Sequence, residues 1–382
     1  MIRPRTVDSI VRLFIVCAAC APSAFAQPQL RVHNSTYYTV HTDLDADVVR
    51  EATVRLTRMA EEYARRTRGF SRKISVKLPF YLFKEHEDYI AAGGLEGSNG
   101  VFYDDKLMAV IGHSASAFAW GTVQHEGFHQ FVRMVIGGEI PVWVNEGMAE
   151  YFGEGLFTGD DFIAGLIPQW RLAQVQRKMK DARFPPLRGM MQVTREEWNR
   201  RMSGNDYDQA WSMVQFLAHG DDGKYDKPFN AFLREAGRTG VWDRAWVKHF
   251  GPGTEEFEKA WREYWLNLPY DPTADLYAKA TVSTLTSFLA RAVSQGQAFE
   301  SFERFVAAAK AGELQVHEQD WLPPSLLRSA LAGVRQAGEW SLEQQRRKNP
   351  KLICARKDDT RLVGTFTLRK TRVKDVFVEV QR

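Results

Sequence analysis

The chain from Leu30 to His41 reads as a strand, and from Asp45 to Arg66 apolar residues recur at helical spacing, with Val49, Leu56, Met59 and Tyr63 on one stripe. Ile74, Val76, Leu78, Phe80 and Leu82 then alternate with other residues as a strand does, and Pro79 points to an edge or bulged position. Gly100 to Gly112 reads as a hairpin that turns at Asp104-Asp105-Lys106 and returns along Leu107 to Ile111. A helix follows, capped by Ser114 or Ser116 and running to about Ile136, where Gly137-Gly138 ends it. Pro141 opens a second helix that carries Asn145 to Phe152 and closes at Gly153. After a loop-rich stretch with Pro168, Pro185 and Pro186, helical patterns return at Asp206–Ala218, Lys227–Ala236 and Thr254–Leu266. Pro269 and Pro272 mark a boundary. Beyond it lie helical patterns through Ala337 and β-rich alternation around Lys351–Arg356, Leu362–Leu368 and Val376–Val380. The pattern predicts an α+β fold. A small mixed sheet with a helical second half spans residues 27–268, and a helical, then β-rich module is appended over 269–382.

The first 26 residues change the picture of where the chain works. Arg3, Arg5 and Arg12 precede an apolar run from Leu13 to Ala21, and Ala24-Phe25-Ala26 has the small-x-small pattern of a signal-peptide cleavage site. That run is roughly half of the ~20 apolar residues a spanning helix needs, so export with cleavage near Gln27, to the periplasm or outside, is expected over membrane anchoring. Cys17 and Cys20 leave with this segment, so Cys354 stands alone and stability must come from the apolar core.

Loss of Arg3, Arg5, Arg12 and Asp8 lowers the formal charge from +4 to +2, and overall charge names no partner. The charge is uneven. Residues 346–382 hold 12 Lys or Arg against 4 Asp or Glu, which reads as a solvated basic hairpin or as a contact for an anionic envelope surface. No nucleic acid is expected as a partner.

The chemistry concentrates in two helices. Residues 125–129 read His-Glu-Gly-Phe-His, and a spacing of four puts both imidazoles on one helix face about one turn apart, which suits a single tetrahedral zinc ion. Glu126 between them projects a carboxylate beside that position, placed to take a proton from water. Chance supplies only roughly 0.01 such patterns in a chain of this composition. Sixteen residues separate His129 from Glu146, which lies within Trp143-Val144-Asn145-Glu146-Gly147-Met148-Ala149-Glu150. Glu146 and Glu150 share a helix face, so one can be the third ligand while the other receives the N–H of a ligating histidine.

These residues resemble the gluzincins, metallopeptidases in which His-Glu-x-x-His is followed by a glutamate on the next helix. Trp143-Val144-Asn145-Glu146-Gly147-Met148-Ala149 is similar to the Trp-x-Asn-Glu-Gly-x-Ala segment of their aminopeptidase-N-like branch. The resemblance implies a zincin-like catalytic domain with His125, His129 and Glu146 as metal ligands and Glu126 as general base and acid. More loosely, from Tyr37 to about Leu268, the chain is similar to uncharacterised bacterial peptidase-like proteins, with Gly100-Val101-Phe102-Tyr103 before the motif helix and Tyr207-Asp208-Gln209-Ala210-Trp211 after it. The Gly-x-Met-Glu-Asn segment of the aminopeptidase branch is not found, and Gly94-Leu95-Glu96-Gly97 is only a faint echo of it.

Peptide hydrolysis also needs a donor for the developing oxyanion. Tyr207 is the first candidate and His219 a weaker one. The expected activity is zinc-dependent hydrolysis of a peptide or protein substrate lying extended along the hairpin's exposed strand. Two rivals are a non-catalytic peptide-binding or scaffolding envelope protein and a zinc amidase acting on a cell-wall or other non-peptide amide.

Overall fold

The computed structural model describes residues 30–382 apart from 69–70, 104–105, 114, 138–139, 202 and 347. The expected signal segment with Cys17 and Cys20, the Asp104-Asp105 turn, Ser114 and Gly138 therefore lie outside the described residues.

Five strands form a mixed sheet: β1 (Arg31–Asn34), β2 (Tyr38–Thr42), β3 (Leu78–Phe83), β4 (Gly100–Tyr103) and β5 (Lys106–Val110), in the order β1-β2-β3-β5-β4. The three inner strands are parallel, and the two edge strands run antiparallel to their neighbours. Two expectations change here. Leu30–His41 is a hairpin rather than one strand, because Ser35 turns the chain: Tyr38 N–H donates to Ser35 Oγ and Ser35 N–H donates to Tyr38 O, both at 2.9 Å. The next strand starts only at Leu78, and Pro79 sits in the central strand rather than at an edge. The proline is tolerated because pairing with β5 begins one residue later, at Phe80, and the Pro79 carbonyl accepts from Gln130 Nε2 at 2.7 Å.

One face of this sheet is covered by α1 (Ala46–Arg66), whose Val49, Leu56, Met59 and Tyr63 are buried as the sequence stripe predicts. After α2 (His86–Ala91) and the β4–β5 hairpin comes α3 (Ala117–Phe131), with Ser116 Oγ accepting from Ala119 N–H at 3.1 Å as its cap. The helix loosens into a π-turn over Val132–Ile136 and stops at Gly137, whose φ of +70° closes it. Pro141 caps α4 (Val142–Gly153).

The small hairpin β6–β7 (Leu156–Phe157, Phe162–Ile163) leads into α5 (Gln169–Lys180), α6 (Leu187–Met191) and α7 (Arg195–Arg201). This segment was expected to be loop-rich. Pro168 and Pro186 instead occupy the N-cap positions of α5 and α6, where a proline starts a helix rather than breaking one. Next come α8 (Gly204–Gly223), broken at residues 220–222, α9 (Asp226–Thr239), α10 (Trp242–Phe250) and α11 (Glu255–Asn267), which cover the three predicted helical patterns.

The remaining elements are α12 (Ala274–Ser294), α13 (Phe302–Ala311), α14 (Pro324–Ala337) and an antiparallel sheet β11-β10-β9-β8 (Arg372–Gln381, Arg361–Arg369, Lys351–Ala355, Glu339–Glu343). The strand β8 was not anticipated. Gly364 lets β10 lie against α12, since a Cβ there would stand 2.0 Å from Thr286 Oγ1. These residues pack on the earlier part of the chain: Thr158 and Ser283 hydroxyls meet at 2.9 Å, and Arg291 holds Asp160 through two bonds of 2.6 and 3.0 Å. Among the described residues the main apolar core runs from Tyr38 to Phe366, with smaller clusters beside it, one of them around Val282, Cys354 and Leu362. Part of the basic C-terminal charge is matched internally, by Arg356 with Asp275 and Arg372 with Asp320. Among the described residues no helix is long and apolar enough to cross a membrane.

Candidate metal centre

Close contact between α3 and α4 sets the site. Gly121 lies against the Gly153 carbonyl, and Gln124 Nε2 donates to the carbonyls of Phe152, Gly153 and Gly155 at 2.9, 3.1 and 3.1 Å, tying the motif helix to the end of α4. Gly147 does the same between α4 and α8, because a Cβ there would lie 2.4 Å from the Ala210 carbonyl oxygen. Two helices carrying short spacings thereby become one three-dimensional cluster.

His125, His129 and Glu146 converge as expected, with one potential ligand atom from each lying within 4.8 Å of the others. The two Nε2 atoms are 3.1 Å apart, and Glu146 Oε2 lies 3.3 Å from His129 Nε2 and 3.7 Å from His125 Nε2. A tetrahedral ion with bonds of about 2.0–2.2 Å spaces its ligand atoms about 3.3–3.6 Å apart, so this donor set fits such an ion.

The outer nitrogens fix which atoms point inward. His125 Nδ1 meets Glu150 Oε1 at 3.0 Å, and His129 Nδ1 meets Asn145 Oδ1 at 3.1 Å. Both partners are acceptors, so each Nδ1 carries a proton and each Nε2 is the ring atom that faces the cluster. Glu146 uses its other oxygen, Oε1, to accept from Arg195 Nη1 at 3.0 Å. Glu150 leads into a buried ionic network: Arg171 donates to Glu150 and, at 2.7 Å, to Glu154, and its guanidinium stacks 4.2 Å from the Trp211 ring centre. Asp208, beside this arginine, accepts from Lys178 Nζ at 2.6 Å.

Electrostatics follow from this arrangement. Burial opposes charge on His125, but its bonds to Glu146 and Glu150 outweigh that and raise its pKa well above the usual imidazole value. Burial alone would raise Glu150, yet His125 and Arg171 bring its carboxyl down to about 2. Glu146 is held below the usual carboxylate range by the two histidines, against the same desolvation. A metal entering this site would replace the proton on His125, so metal and proton compete there.

Of the cluster, His125 reaches the wall of a cleft of about 660 Å3, whose lining also includes Gly100, Glu126, Glu150, Arg171 and Tyr207. Glu126 stands against the edge strand: a Cβ on Gly100 would lie 3.0 Å from Glu126 Cγ. The Tyr207 ring is 6.1 Å from that of His125 and packs edge-on to Trp198, and burial followed by the Glu146 charge raises its pKa.

His219 is placed elsewhere. Its Nε2 lies 2.9 Å from the Tyr151 hydroxyl, its ring stacks on Tyr151, and it is not among the residues lining the cleft. Sequence reasoning assigned no part to Asn145, Arg171 or Arg195. Asn145 was within reach, since it sits on α4 next to Glu146; the spacing of Leu172, Val175 and Met179 could have revealed the helix that carries Arg171.

Residues 119–239, from the first turn of α3 to the end of α9 and so including the whole cluster, match a family described as "Protein of unknown function (DUF1570)". No curated protein matches the chain.

Proposed function

We propose that this protein is a zinc-dependent peptidase, on one carrying observation: the inward atoms of His125, His129 and Glu146 converge, and His125 shares the lining of a cleft with Glu126 and Tyr207. Zinc, when bound, supplies Lewis-acid polarisation of the substrate carbonyl and of the attacking water. Glu126 accepts the proton that water loses and delivers it to the leaving amine. Tyr207 donates its O–H to the developing oxyanion, and its raised pKa keeps that proton in place at neutral pH. Strand β4 ends the sheet, so its outer N–H and C=O groups can pair with an extended peptide of any sequence passing Glu126. The reading includes export of the mature chain and contact of the basic C-terminal segment with an anionic envelope surface.

In the test, zinc-loaded Glu126→Gln loses about 10²–10⁴-fold in peptide hydrolysis while still holding one zinc per chain. Full activity in that variant would sink the proposal. Tyr207→Phe lowers kcat by about 10²–10³ with little change in KM; an unchanged kcat would leave Tyr207 as a packing partner of Trp198 only.

A further inference from the structure

Beside the metal cleft lies a second and larger cavity, of about 890 Å3, and the two share Glu154 and Trp170 in their walls. It is built where the C-terminal helices meet the earlier part of the chain. Leu156 and Phe157 of β6 form one side, Tyr277 and Ala278 of α12 another, and Leu326 and Ala330 of α14 the third. Small side chains on the facing helices leave the volume open: Gly333 stands opposite Thr281, where a Cβ would come within 3.0 Å of its hydroxyl. Trp170, 61% exposed at the junction, gives both cavities an aromatic wall.

The lining limits what can enter. Among the described residues it contains two carboxylates, Glu154 and Asp271, and no lysine or arginine, so a fatty acid or phospholipid headgroup finds no counter-charge there. Glu154 is already matched by Arg171 at 2.7 Å. An uncharged apolar stretch of chain fits, and it gains free energy in proportion to the area it buries.

We propose that this cavity is a substrate subsite that takes the large apolar side chains of a peptide as it leaves the metal cleft past Trp170. The proposal rests on the peptidase reading for the identity of its occupant. It makes residues after 268 part of substrate selection rather than an appendage.

The test uses two dansyl-labelled peptide amides, Leu-Leu-Leu and Ser-Ser-Ser, titrated by fluorescence into the full-length zinc-loaded protein and into its Glu126→Gln variant. The leucine peptide binds about tenfold or more tightly than the serine peptide, the affinity equivalent of burying one leucine side chain. Ala332→Trp, at an exposed position on the cavity wall, fills the space without disturbing the core and brings the ratio close to one. Trp170→Ala lowers the ratio independently. Equal binding of the two peptides, or a preference that survives Ala332→Trp, overturns the subsite. Dodecanoate displacing the leucine peptide from the wild type but not binding to Ala332→Trp also overturns it, in favour of a lipid site. A leucine preference without any hydrolysis supports the subsite and overturns the peptidase reading, so the two failures are separable.

Discussion

His125 and His129 stand one turn apart on α3 and face the same point, yet the supports behind them differ in kind. Behind His125 lies Glu150, and behind Glu150 lies Arg171, whose side chain is only 4% exposed and shared with Glu154. Behind His129 lies the neutral amide of Asn145, and the adjoining Glu146 is held from outside by Arg195, 51% exposed. A buried ion pair with one partner removed leaves an uncompensated charge in a poorly solvated place, whereas a half-exposed pair can trade its partner for water. The His125 side is therefore the rigid reference of the site, and the Arg195 side is adjustable.

The largest effect that would break this contrast is at Arg171. Arg171→Met removes the guanidinium that Glu150 and Glu154 share and is expected to lower stability by about 3–5 kcal/mol, read by denaturant unfolding of the metal-free protein. A loss below about 1 kcal/mol would show the two sides to be alike. Glu150→Ala comes next. It frees His125 Nδ1 and is expected to weaken metal binding about 10–100-fold in competition with a chelator. Asn145→Ala removes a single neutral acceptor and is expected to cost about 1 kcal/mol. Arg195→Ala is expected to change stability by less than about 1 kcal/mol, with the difference vanishing at high salt. If Arg195→Ala matched Arg171→Met, the rigid and adjustable sides would have to be exchanged.

A smaller effect concerns His219, the histidine that lies away from the cleft. Burial, assisted by Arg66, lowers its pKa to about 4, so it is neutral when folded and gains a proton on unfolding below about 6.5. Its contribution to stability is present above about 6.5 and is lost as pH falls through about 4. The melting temperature of the wild type is expected to fall over that window more steeply than that of His219→Gln. Parallel curves would mean that the imidazole is solvated.

The same contrast explains what could be read along the chain. His125, Glu126, His129, Glu146 and Glu150 were legible because their relations are local. A spacing of four on a helix fixes a shared face, and two glycine-closed helices in succession bring the faces together. Arg171 and Arg195 act on carboxylates 21 and 49 positions away, and long-range ion pairs leave no periodic trace. Their segment was also disguised by Pro168 and Pro186, which cap helices there. The α+β class and the last three strands followed from period alone, while the turn at Ser35 and the central position of Pro79 depended on hydrogen bonds from Tyr38 and Gln130. The apolar cavity was not legible, because α12, α14 and β6 meet only through tertiary packing.

The central claim is that His125, His129 and Glu146 together hold one metal ion. Its most direct test is calorimetric titration of zinc into the metal-stripped protein and into His129→Ala. The account predicts one ion per wild-type chain, proton release on binding, and loss of that binding in the variant. Undiminished zinc binding by His129→Ala, or none by the wild type, would contradict it.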